Sequence, residues 1–308
     1  MAESSLSSFI IRTNWTSDPQ TWVRRLVWKI ALATIVLMAI GSATRVMNAG
    51  LACPDWPLCY GQLIPTQQMN LQVFLEWFHR LDASLIGFSM IILTAIGWWQ
   101  RPKLPTWLPF ALTFALLLVV LQGILGGLTV TQLLRFDIVT AHLAIAMTFF
   151  CTLIVIAINL KPTEATNKLG KLAWLSTSAT VIVYLQSILG GLVASRWALH
   201  QCFDDNRLCT VMNSHIIGVF PATLTTLAVV LWCWFKPDLP VIFRQLSWIL
   251  TSLILLQIIL GIATFRLHLQ VEPLTVAHHT IGVALLGTLV AFTSMAWRNQ
   301  TNILKLKE

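Results

Sequence analysis

Eight separate stretches of this chain are long and apolar enough to cross a lipid bilayer. A helix needs roughly 20 residues to span the hydrocarbon core, and such runs read at about 26–47, 72–99, 105–130, 136–160, 172–195, 211–235, 242–265 and 271–297. Inside lipid every backbone N–H and C=O must find its partner within the chain, so each run is confined to helix. The expected fold class is an all-α integral membrane protein with eight transmembrane helices. Charge content agrees: 10% of the 308 residues are charged, against about 25% in an ordinary soluble domain.

The first run follows a polar leader, residues 1–25, that lacks the small-residue cleavage pattern of a signal peptide, so it is expected to be retained. If the N-terminus is cytoplasmic, that face collects 14 of the 20 lysines and arginines and the opposite face keeps 6. The positive-inside rule then places both termini in the cytoplasm. The net charge of +8 is read as anchoring against anionic lipid. No basic stripe interleaved with aromatics is present to suggest nucleic acid, and the bilayer is the expected partner.

Loop lengths run long, short, short on either side of a 161–171 linker, which divides the chain into halves at 26–160 and 172–297, with a tail at 298–308. "LQGILGGL" (121–128), "LQSILGGL" (185–192) and "LQIILGIA" (256–263) lie on the third, fifth and seventh runs, and "LMAIGSATR" (37–45) is a weaker echo on the first. Small residues in such places let helices, or a flat ligand, approach the backbone closely. Four runs per half mean that both halves enter from one face, a parallel repeat. The expected architecture is two pseudo-twofold-related four-helix bundles.

The even runs carry His79, His142, His215 and His278, each about four to eight residues from its outer start. At 1.5 Å per residue all four share one depth. His79 corresponds to His215 and His142 to His278 at the same offset of 136 residues. Two imidazoles facing each other across a bundle are a usual way of holding an iron porphyrin from both axial sides. A lone intramembrane histidine can also serve as packing glue. Zinc or copper would normally recruit a third close ligand, and Cys151 and Cys233 lie too far along their helices to supply it. Covalent haem attachment needs a C-x-x-C-H motif that the chain lacks. Arg45, Arg135, Arg196 and Arg266 stand at outer helix ends, placed to pair with the carboxylates of such a cofactor or to snorkel to the interface.

The halves differ beside the histidines. The first has Glu76, Arg80 and Asp82 where the second has Met212, Ile216 and Gly218. Glu76 shares a helix face with His79, which suits proton removal in the first half and a resident redox haem in the second. A structural ion pair with Arg80 is the other reading. Two outer loops hold a cysteine pair each, "CPDWPLC" (Cys53 and Cys59) and "CFDDNRLC" (Cys202 and Cys209), which argues for two disulfides on the oxidising face, bracing rather than redox-active.

Taken together, "EWFHR" (76–80), "CPDWPLC" (53–59), "TAHL" (140–143), "NSH" (213–215), "VAHH" (276–279) and the duplicated layout resemble haem A synthases of the bacterial type with cysteine pairs in the outer loops. The resemblance covers essentially the whole chain. It implies oxidation of the C8 methyl group of haem O to a formyl group, giving haem A for cytochrome oxidase. It also implies that His79 and His142 flank the substrate haem, that Glu76 is the catalytic carboxylate, and that His215 and His278 ligate haem b. It associates Cys53 and Cys59 with activity or stability, and it points to a bacterial plasma membrane, to haem O synthase and to oxidase assembly factors as partners. Another class remains open, a dihaem b-type electron carrier linked to quinol, although its haems would normally sit at two depths. A transporter on parallel repeats would need broken helices near the midplane, and only Pro221 offers one.

Overall fold

The computed structural model describes residues 18–161, 169, 171–194, 206–236, 238–267 and 270–305, and for 206–209 and 300–305 the backbone alone. The eight expected runs are eight helices: α1 (Pro19–Val46), α2 (Leu71–Trp99), α3 (Leu108–Thr131), α4 (Phe136–Asn159), α5 (Leu172–Val193), α6 (Asn206–Phe235), α7 (Val241–Arg266) and α8 (Glu272–Lys305). All have segments apolar and long enough to cross a membrane.

Several helices outrun their apolar stretches. Helix α1 begins at Pro19 instead of residue 26, because the Asp18 side chain accepts a hydrogen bond from the Gln20 N–H and Pro19 occupies the first turn, where its missing N–H costs nothing. Helix α6 starts at Asn206 and α8 runs on to Lys305, since polar residues extend a helix into the interface where hydropathy no longer marks it. Asn70 caps α2 by accepting from the Val73 N–H at 3.0 Å.

The helices close into two rings. In the first, α1 packs on α2, α2 on α3, α3 on α4 and α4 back on α1; in the second, α5, α6, α7 and α8 repeat that circuit. The rings meet through α1 against α8, α4 against α8 and α4 against α5. Helices α4 and α8 are therefore central, with 44% and 50% of their spanning windows buried against 17–28% for the other six. A hydroxyl pair ties the rings together, Thr148 of α4 with Tyr184 of α5 at 3.0 Å, while within the second ring α5 and α8 are joined by Thr180 with Thr293 at 3.0 Å and by the Trp297 indole N–H on Thr177 at 2.8 Å.

The core is unevenly placed along the membrane normal. Its large buried side chains, among them Leu93, Leu112, Met147, Leu153, Phe243, Leu250 and Phe292, sit in the half of each helix nearer the 100–107 turn. That half is packed tight by small-residue contacts such as Gly287 against Phe150. The other half, toward the 47–70 loop, holds the four histidines, each half-buried.

Candidate functional site

In each ring the two histidines come from alternate helices, His79 on α2 with His142 on α4, and His215 on α6 with His278 on α8. The two imidazoles of each ring lie within electrostatic range of each other. Every imidazole lies against a glycine of the preceding helix. An ideal Cβ built on Gly41 of α1 would stand 2.8 Å from His79 Cε1, on Gly126 of α3 3.6 Å from His142 Cε1, on Gly190 of α5 2.9 Å from His215 Cε1, and on Gly261 of α7 3.0 Å from His278 Cε1. These are the glycines of the recurring "LQxxLG" pattern and its α1 echo, so the repeat encodes a seat for a ring. Nδ1 of His79, His142 and His278 is buried without a hydrogen-bond partner among the described residues, an unusual state for buried polar atoms.

These features fit an iron porphyrin. Two imidazoles per ring are the donor set that iron takes axially, and the backbone is pared to glycine where each imidazole lies. No group of three His, Cys, Asp or Glu side chains converges among the described residues, so the donors come in pairs.

Among the described residues Glu76 is the one buried ionisable side chain at this level, 4% exposed. Its Oε1 accepts from Arg80 Nη2 at 2.5 Å and its Oε2 from the Cys53 backbone N–H at 2.8 Å. Arg80 Nη1 donates to the carbonyls of Asp55 at 2.6 Å and Leu58 at 2.5 Å. The i,i+4 ion pair anticipated as the alternative for Glu76 is therefore present, and it clamps the 53–59 loop onto α2. Removing either partner would strand a buried charge, at about 3–5 kcal/mol. Cys53 and Cys59 form the expected disulfide, with Cα atoms 4.7 Å apart. Beyond it, Tyr60 and Gly61, both with positive φ, make the two central residues of a tight turn in which Cys59 and Gln62 exchange backbone hydrogen bonds at 3.1 Å. The Asp55 carboxylate accepts the N–H groups of Tyr60 and Gly61 at 2.6 and 2.7 Å. The Gly61 amide above all, with Tyr60 and the nearby Arg80 charge, holds it below the usual carboxylate range.

The arginines part company. Arg45 Nε donates to the Ala194 carbonyl at 3.0 Å and Nη2 to the Gly191 carbonyl at 2.8 Å, so it caps the end of α5 from across the ring boundary, close to His279. Arg135 pairs with Asp137 at 2.6 Å on the surface, and Arg266 is exposed. Arg196, Cys202, His200 and His268 lie outside the described residues, as does the side chain of Cys209. Cys151 and Cys233 are unbonded thiols, Cys233 fully buried in the core. Sequence reasoning did not single out Gln122, Gln186 and Gln257, whose amides meet histidine residues; their recurrence four places before three of the four glycines was the available signal.

The fold and site define a class: an eight-span all-α membrane protein with one histidine pair inside each of two helix rings. More specifically, residues 24–290 match the COX15-CtaA family, described as cytochrome oxidase assembly protein, and the chain belongs to that family. It is 25% identical to a heme A synthase of Shewanella oneidensis over 92% of this chain and 98% of that protein. It is 26% identical to one of Beijerinckia indica over 86% of this chain and 90% of that protein. A shorter match, 29% identical over 41% of this chain and 26% of the other protein, is to a protoheme IX farnesyltransferase of Halobacterium salinarum.

Proposed function

We propose that this chain is a haem A synthase, which oxidises the C8 methyl group of haem O to a formyl group. The observation that carries the reading is the pair of glycine-seated histidines in the first ring with a buried carboxylate one helical turn away, absent from the second ring. Methyl to formyl takes two successive hydroxylations followed by loss of water. His79 and His142 hold the substrate by its iron, and Glu76, oriented through both oxygens, is the group placed to take a proton. Haem b, when bound between His215 and His278, supplies one-electron redox chemistry. In the second ring apolar neighbours replace Glu76 and Arg80, which suits a haem that is not itself altered. Arg45, Arg135 and Arg266 mark the end of the membrane toward which the propionates point, and that end is read as outer, with both termini cytoplasmic in a bacterial plasma membrane. Haem O arrives from a farnesyl-transferring synthase, and the product leaves to oxidase assembly.

The test is mass-detected chromatography of haems extracted from protein purified from cells that make haem O but no haem A. Haem b with haem O and new haem A is expected. Haem b alone in both rings, with no conversion of added haem O, would make the protein a dihaem electron carrier. Glu76→Gln keeps an acceptor for the Cys53 N–H while removing the charge, so total haem should persist and haem A should fall sharply; undiminished conversion would remove Glu76 from the chemistry.

A further inference from the structure

The turn that joins α2 to α3 and the one that joins α6 to α7 lie at the same end of the two rings and are filled differently. In the first ring the turn runs from residue 100 to 107 and carries a short 3-10 segment, Arg101–Lys103. The Arg101 guanidinium lies over the rings of Trp98 and Phe110, 5.6 and 5.9 Å from their centroids. The Trp98 indole N–H donates to Thr113 Oγ1 at 3.0 Å. The chain closes that corner with its own side chains.

In the second ring the turn is shorter, 236–240, and beside it lies a cavity of about 440 Å³ lined by Trp234, Val241, Arg244, Gln245 and Trp248. Trp234 answers to Trp98 at the 136-residue offset of the histidines. The 135-residue offset that relates Gly126 to Gly261 sets Arg244 and Gln245 against Pro109 and Phe110. Two side chains that donate hydrogen bonds thus replace two that cannot. Both are exposed, and neither side chain has a hydrogen-bond or ion-pair partner among the described residues. Trp234 and Trp248 pack with ring centroids 4.7 Å apart. Lys236 is turned to the Trp232 ring at 5.2 Å, and Asp238, the acid of the turn, does not line the cavity. Beyond it α7 is the least buried of the spans. Trp248, Leu255, Ile259 and Ile262 are exposed, and their spacing sets them on the helix face that carries Val241 and Arg244. That stripe has a cation at one end and hydrocarbon along the rest.

We infer that the corner between α6 and α7 binds one anionic phospholipid, its phosphate on Arg244 and Gln245 and its acyl chains along the apolar stripe of α7. A guanidinium forks onto phosphate through two parallel hydrogen bonds, and the amide adds a further donor. Tryptophans sit at the headgroup level of a bilayer, and basic pockets between spanning helices take anionic headgroups. The volume falls within the range of small-ligand sites, about 300–1,000 Å³. A free phosphate ion would use the cation and leave the stripe unused. A zwitterionic lipid would bring its own cation toward Arg244, with no acid in the cavity to receive it. The site does not depend on what the rings hold.

Native mass spectrometry of the full-length protein, titrated with phosphatidylglycerol and with phosphatidylcholine of the same acyl chains, ranks the two lipids. The tightest site should prefer phosphatidylglycerol by about 10-fold or more, in keeping with hydrogen bonds between charged groups. Arg244→Gln should abolish that preference; its side chain is exposed, so the fold should be unaffected. Arg101→Gln removes a charge at the same end of the membrane but from the closed corner, and should leave the preference intact. Equal affinity for the two lipids in the wild type, or equal losses in the two variants, overturns the inference. Displacement of the lipid by inorganic phosphate would make this a free-anion site, and a dimer that forms in place of the lipid adduct would make it a contact between copies; either result overturns it too.

Discussion

Replacing Gly41 with alanine tests whether the glycine seats are built to fit imidazoles. The new methyl would lie 2.8 Å from His79 Cε1, whereas carbon atoms rest comfortably at about 3.5–4.0 Å. Either the imidazole shifts or α1 parts from α2. Overpacking of this kind costs about 1–3 kcal/mol, and the alanine returns about 0.5–1 kcal/mol as a better helix former than glycine. A net loss of roughly 1–2 kcal/mol corresponds to about 5–30-fold weaker haem retention in the first ring. Gly126→Ala is the internal control, because its methyl would sit 3.6 Å from His142 Cε1, an ordinary contact. Only the helix-forming gain remains there, and haem retention should hold or improve. The assay is haem per protein by pyridine haemochrome absorbance after incubation with apomyoglobin as scavenger, beside thermal unfolding of the same samples. If Gly126→Ala sheds haem as readily as Gly41→Ala, the graded contact distances have no bearing on ligand seating.

Arg45→Met should uncouple α1 from the end of α5. It removes two charge-assisted hydrogen bonds, each worth about 1.5–3 kcal/mol, so unfolding in detergent should shift downward and broaden; full recovery with Arg45→Lys, which lacks the fork that spans both carbonyls, would refute the capping role. Asp55 carries a pH prediction. Its folded value lies below the unfolded one of about 3.9, so the stability it adds is complete above that value and fades as pH falls through the lower, folded one. Protection of the Tyr60 and Gly61 amides, taken relative to the intrinsic exchange rate at each pH, should hold down to about pH 4 and fall below it, with Asp55→Asn flat across that range; a loss centred above that pH would count against the assignment.

The spans were legible because lipid leaves an apolar segment almost no choice but helix, and the histidine pairs because a 136-residue offset repeats across the halves. The ends of α1, α6 and α8 were not, since capping and interfacial helix leave little trace in hydropathy. Glu76 shows the limit at the site. Its i,i+4 relation to Arg80 is readable from numbering, but the Cys53 N–H and the Asp55 and Leu58 carbonyls come from a loop without periodicity, and nothing in a string of letters brings them to α2. Arg45 illustrates the same point over a greater distance. Its place at a helix end suggested a carboxylate partner, whereas its described partners are carbonyls almost 150 residues away, which become neighbours only when the rings meet.

The uneven core bears on how the chain would take up the haem proposed for its rings. The tightly packed half of the bundle contains the large buried side chains and close contacts between the rings such as Gly287 against Phe150, and none of the histidines. Regions with dense apolar contacts open last and those without them open first. The receptor is thus assembled ahead of its cargo: the chain folds on its own foundation, and loading is a binding event rather than a folding one. Ligand then adds stability by mass action, felt mainly at the histidine level, while the foundation keeps its hydrogen-exchange protection whether or not a tetrapyrrole is present.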